Sequence, residues 1–179
     1  KRQHQAIAAD LAAWLQADQH MTLVTAGPSG LDQLLPASRV EAHPPLAYDA
    51  YRRLLASCQL ALLPLACSAA NRCKTAIKWQ ECAAESVAVV AGPELYGPSL
   101  ANDHHGLHAA SLAAIVPLAR RLAADPQRRH QLVHQAHQRV LELALPGQLP
   151  WRMALYRHLW RLRHRLAASQ LGRWPDLAG

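Results

Sequence analysis

Phenylalanine is absent from the 179 residues, and aromatic residues together amount to 5%. With so few stacking side chains and no recognised nucleic-acid motif, nucleic acid is not an expected partner. Acidic residues are also scarce: 12 Asp and Glu stand against 19 Lys and Arg, a formal charge of +7. That surplus points to anionic partners, whether phosphorylated ligands, nucleic acid or a membrane surface, and does not choose among them.

No stretch reaches the roughly twenty apolar residues that cross a bilayer. The chain opens on Lys1-Arg2-Gln3-His4 rather than on the charged, apolar and small-residue order of a secretory leader, so a cytoplasmic location is expected. An initiating methionine is missing too, and residues 5–16 already read as helix; the chain reads as a fragment of a longer protein. Cys58, Cys67, Cys73 and Cys82 lack the close pairing of a zinc site. They read as small hydrophobes, because 51% of the residues are apolar and a core can form without staples.

What is present is an alternation. Short apolar runs at 21–26, 38–42, 59–63 and 87–91 read as strands, and segments of helical periodicity at 5–16, 31–35, 49–57, 72–85, 111–124, 126–145 and 151–168 separate or follow them. This order predicts an α/β fold, a Rossmann-like three-layer domain with a parallel sheet, helices on both faces and a helical C-terminus. Residues 1–145 would form the core and 146–179 a helical extension.

The segment 72–85 carries the most chemistry. As one helix it places Lys74, Lys78, Glu81 and Glu85 in a single stripe, four, three and four residues apart. Its cations sit near the positive helix end and its carboxylates near the negative end, each costing about 0.3–1 kcal/mol at an exposed site. A bound phosphate would reverse that cost by taking backbone N–H groups and lysine ammoniums, with Asn71 capping the helix and Thr75 donating its hydroxyl. Glu81, two turns in, would accept hydrogen bonds from ribose. The other reading is a solvated face in which Lys78 pairs with Glu81 for tenths of a kcal/mol. A position after a strand, where open α/β sheets bind ligands, favours the nucleotide.

Several stretches resemble the C-terminal domain of GT-B fold, group-one-type bacterial glycosyltransferases. Tyr51-Arg52-Arg53-Leu54-Leu55 and Ala61-Leu62-Leu63-Pro64-Leu65 resemble that family's helix and its strand ending at proline. Asn71, Lys74-Thr75, Lys78 and Glu81 resemble its Asn-x-x-Lys-Ser/Thr-x-x-Lys-x-x-Glu run. The apolar run 87–91, Tyr96, Asp103-His104-His105-Gly106 and Asp125-Pro126-Gln127-Arg128-Arg129 follow in the family's order, so the similarity extends over about 11–145. Two departures stand out: Cys73 where many members have the first glutamate of a Glu-x7-Glu pair, and Ser86-Val87-Ala88 where Gly-x-Pro is common.

The resemblance implies a donor-binding half of a glycosyltransferase acting in polysaccharide biosynthesis. The nucleotide-sugar donor would be its substrate, with no cofactor and no metal. Glu81 would hold ribose and Lys74 and Lys78 the pyrophosphate. Catalytic groups would lie partly in a missing N-terminal acceptor domain, leaving this chain alone without turnover. A degenerate, non-catalytic partner-binding module and a basic membrane-surface or nucleic-acid module are the competing functions.

Other features are weaker. Gly27-Pro28-Ser29-Gly30 lacks the spacing of a dinucleotide fingerprint and reads as a turn, although the resemblance makes Gly27 a cleft-lining candidate. His130, His134 and His137 share a face but flank the stripe of Val133, Ala136, Val140 and Ala144, so they read as boundary residues rather than metal ligands. His104, His105 and His108 read as solvated loop residues. The last helix sets Trp151, Leu155, Leu159, Leu162 and Leu166 apart from Arg157, Arg161 and Arg165, which suits docking on the missing domain or peripheral attachment to an anionic membrane.

Overall fold

A computed structural model describes residues 2–92, 95–100 and 103–173. The chain forms two compact units, Lys1–Val140 and Leu141–Gly179.

In the first unit, helices α1 (Arg2–Gln5) and α2 (Ala8–Ala17) lead to strand β1 (Leu23–Ala26). Strand β2 (Val40–His43) pairs with β1 in parallel, in register Leu23 to Val40. After α3 (Tyr48–Ala56), strands β3 (Leu60–Leu63), β4 (Ala88–Ala91) and β5 (Leu107–His108) form a second parallel sheet in the order β3-β4-β5. Helices α4 (Ala69–Arg72) and α5 (Ile77–Ala84) join β3 to β4, and α6 (Gly97–Leu100) precedes β5. Helices α7 (Ile115–Ala123) and α8 (Pro126–Leu143) follow. Strands all parallel and flanked by helices are the α/β architecture expected of the alternation.

Strand β4 is buried at all four positions, as befits the centre of a parallel sheet covered on both faces. Its side chains alternate. Ala88 and Val90 join Leu11, Trp14 and Leu15 of α2 and Ile115, Val116, Ala119 and Leu122 of α7 in one core. Val89 and Ala91 lie outside that cluster, and α5 packs on β4 with Trp79, Cys82 and Ala83 buried. Each large side chain buried here removes apolar surface worth about 1.5–3 kcal/mol.

Four expectations need correction. Residues 31–35 form a turn, not a helix: Ser29 Oγ accepts from Leu31 N, and Pro36 follows Leu35 before a 3₁₀ turn at Ala37–Arg39. Five residues are too few to sustain a helical nucleus against those local bonds. The helix at 72–85 is divided, and α5 starts only at Ile77. Strand β5, two residues long, is too short to leave a periodic signal. The buried positions of α8 are Leu132 and Ala136 rather than the full stripe anticipated.

The second unit holds α9 (Leu145–Arg173), which starts before Trp151 and contains Pro150. No helix among the described residues is long and apolar enough to cross a membrane.

Candidate functional site

The site is built at the carboxyl ends of β3 and β4. Helix α5 runs back across the sheet into the amino end of β4, so its own N-terminus lies at the opposite end, where β3 finishes. Eight helical residues rise about 12 Å, close to the length of a four-residue strand. Pro64 is buried as β3 ends. The two strand exits then touch: Gly92 N donates to Leu63 O at 3.0 Å, and a Cβ at Gly92 would stand 2.3 Å from Leu65 O. Only glycine permits that approach.

Between β3 and α5 the backbone is organised by side chains. Ser68 caps α4, its hydroxyl accepting from Asn71 N at 3.1 Å. Asn71 is buried, and its Nδ2 donates to Ala66 O at 2.7 Å. Asn71 therefore ties down the loop and does not cap the helix that bears Lys78, a correction to the sequence reading. Cys73, Lys74 and Thr75 are exposed in the connection, outside any helix. The N-cap of α5 is Ala76, with no side-chain hydrogen bond to its first turn. That helix end presents backbone N–H groups and the positive end of the dipole to solvent beside two lysines.

Lys78 and Glu81 sit on successive turns of α5, and the residues facing them come from α3. The Tyr51 hydroxyl donates to Glu81 Oε2 at 3.3 Å, and the Lys78 ammonium stands over the Tyr51 ring, 5.5 Å from its centroid. Burial, and then the Glu81 carboxylate, push the Tyr51 phenol above its ordinary range, so it stays a neutral donor. One turn on, Glu85 is paired with Arg52, whose guanidinium is held protonated by that bond. The stripe is thus not a set of intrahelical pairs; α3 supplies a partner to each carboxylate.

On the other side of α5 the indole Nε1 of Trp79 donates to the carbonyl of His105 at 2.9 Å. This bond anchors the 103–106 turn. Asp103 sits at φ +66 and its carboxylate accepts from His108 N at 2.9 Å, while the Asp103 carbonyl accepts from Arg128 at 2.7 Å. Gly106 at φ +147 has no room for a Cβ, which would lie 2.6 Å from a Leu100 methyl. Asn102, which precedes this turn in the sequence, lies outside the described residues.

The remaining candidates separate from this group. Gly27, at φ +79 after β1, belongs to the other sheet; its N–H bonds His43 O, and a Cβ there would meet nothing within 4 Å. His137 Nδ1 lies 3.1 Å from Ala83 O, a packing contact that fastens α8 to α5, whereas His130 and His134 are exposed. No group of three His, Cys, Asp or Glu able to hold a metal occurs among the described residues. His104 is exposed, and His105 turns inward with Nδ1 3.1 Å from Ser99 O.

The fold is similar to that of the C-terminal domain of a group 1 family glycosyl transferase, LpcC, from Francisella tularensis, with a TM-score of 0.59 and 16% identity over 76% of this chain and 75% of that one. It is the Rossmann-like architecture of a GT-B C-terminal domain. No curated protein matches the chain in sequence. The model of the family described as glycosyl transferase-like matches residues 2–146, most of the chain, and the chain belongs to that family.

Proposed function

We propose that this domain binds the nucleoside diphosphate part of a nucleotide-sugar donor for glycosyl transfer to a glycan, lipid or protein acceptor. The observation that carries the reading is the pair of exposed lysines, Lys74 and Lys78, at the uncapped N-terminus of α5 where β3 ends. The diphosphate takes the backbone N–H groups, both ammoniums and the Thr75 hydroxyl, an arrangement in which dipole and charge act together. Glu81 accepts from the ribose hydroxyls with the oxygen that Tyr51 leaves free. Asn71 holds the loop in shape. Gly27, with open space where a Cβ would be, lets a ligand approach the backbone.

Charge on the departing diphosphate grows as the glycosidic bond breaks. Lysines and helix N–H groups fixed beside it then stabilise the transition state more than the ground state. The acceptor site and further reacting groups belong, in this reading, to an N-terminal domain, and the 179-residue chain binds donor without turnover.

Calorimetric titration of the chain with UDP, GDP, ADP and UMP tests the proposal. Saturable binding that prefers one diphosphate, and any diphosphate over UMP, is expected; heats no larger than dilution for all four would contradict a donor site on this domain.

A further inference from the structure

Tyr48, the first residue of α3, is 59% exposed. Among the described residues of the first unit it is the exposed aromatic: Trp14, Trp79 and Tyr96 are buried, and Tyr51 is partly so. Its ring lies 6.5 Å from that of Tyr51 between centroids, tilted by 34°. Tyrosine is a middling helix former, and this one leaves an apolar ring in water. Pro44 and Pro45 come shortly before it, and their fixed φ angles stiffen the approach to α3. The ring is therefore placed before any ligand arrives.

Its place in the fold gives that ring a use. Helix α3 enters the amino end of β3 and α5 the amino end of β4, and the two strands are parallel. The two helices, which touch, therefore run in the same direction. Their first residues, Tyr48 and Ile77, stand at the same end, where β3 and β4 finish, and Ile77 is 50% exposed. The contacts between the helices agree: Tyr51 meets Lys78 and Glu81, and Arg52, one residue on, reaches Glu85, one turn on. Three residues before Tyr51, Tyr48 lies about 4.5 Å nearer the mouth of the site.

Lysine ammoniums suit the diphosphate of a nucleotide and the Glu81 carboxylate suits its ribose diol, but neither answers the planar base joined to that ribose. An aromatic face does, because every base has a π face that stacks on it. We propose that the Tyr48 ring is the platform on which the base of the bound nucleotide stacks, so that Tyr48 sets how much more tightly the site holds a nucleoside diphosphate than bare pyrophosphate. The inference rests on the donor reading of the α5 site and adds the residue that meets the base.

Calorimetry of the 179-residue chain, with whichever of UDP, GDP and ADP binds most tightly and with inorganic pyrophosphate, tests this when repeated for Tyr48→Phe and Tyr48→Ala. Tyr48→Ala is expected to weaken the nucleoside diphosphate about tenfold and to leave pyrophosphate as before, whereas Tyr48→Phe, which keeps the ring, stays within about twofold of the parent. Tyr48 is exposed, so neither change empties a core. Unchanged nucleoside diphosphate affinity in Tyr48→Ala, with both ligands bound by the parent, overturns the platform and leaves the donor site standing. Equal loss of both ligands in Tyr48→Ala also overturns it, since the ring would then act on Lys78 through Tyr51. A loss in Tyr48→Phe as large as in Tyr48→Ala assigns the effect to the hydroxyl and overturns stacking. A parent chain that binds neither ligand ends the donor reading and this inference with it.

Discussion

The phenol of Tyr51 on α3 donates to Glu81 on α5 while its ring lies under the Lys78 ammonium. One side chain thus orients both the carboxylate and the ammonium that the proposed donor site assigns to ribose and diphosphate. Tyr51→Phe keeps the ring and removes the donor. Nucleoside diphosphate affinity is expected to fall about three- to tenfold, the worth of one hydrogen bond near 1 kcal/mol. Inorganic pyrophosphate, which has no ribose, should bind as before. A parallel loss for pyrophosphate would mean that Tyr51 supports the lysine and not the carboxylate.

Ser86 follows α5 at φ +60, with Val87 N bonded to Cys82 O at 2.8 Å and Ser86 N to Ala83 O at 3.3 Å. This is a Schellman termination, whose left-handed residue is best served by glycine. A side chain there costs about 1–2 kcal/mol, and glycine gives back about 0.5–1 kcal/mol through the entropy of the unfolded chain. Relief of strain outweighs that entropy. Because Ser86 is exposed, Ser86→Gly should stabilise the domain by about 0.5–1 kcal/mol in urea unfolding, with nucleotide affinity unchanged. Ser86 is therefore a cost to stability and says nothing against the site.

Burial, and secondarily the charge of Glu81, push the Cys82 thiol up to about 12 from an ordinary 9.0. The folded chain therefore holds this proton when the unfolded chain has released it. The associated stability is fully present below pH 9 and declines toward pH 12, at up to about 1.4 kcal/mol per pH unit. Cys82→Ala should flatten that decline. Iodoacetamide near pH 8 should modify the exposed Cys73 in the native chain and reach Cys82 only on unfolding, since the thiolate is the reactive form. Equal native reactivity of the two would contradict the burial of Cys82.

The alternation of β-rich and helical segments made the parallel α/β fold readable, because buried strands and amphipathic helices differ in period. The division of the 72–85 segment was not readable. Helical spacing predicts one stripe through Lys74, but Ser68 caps a separate short helix, α4, which stops at Arg72, and Asn71 within it is bonded back to Ala66 O. The chain needs four further residues before α5 begins. Partners across the fold were equally hidden. Tyr51 and Glu81 are 30 residues apart, Arg52 and Glu85 33, and Trp79 and His105 26, whereas spacing rules on a helix reach only three or four residues. Lys78 and Glu81 could be named from sequence, but Tyr51, which faces them both, appeared there only within the run Tyr51-Arg52-Arg53-Leu54-Leu55.

Lys78 gives the most direct test of the donor-binding account. Calorimetric affinities of the preferred nucleoside diphosphate and its monophosphate would be compared for the parent chain and Lys78→Ala. The exposed lysine should be dispensable for folding, and its loss should weaken the diphosphate about tenfold or more while changing the monophosphate little, so that the preference between them collapses. Equal affinities in parent and variant would show that the N-terminus of α5 does not hold the diphosphate and would contradict the account.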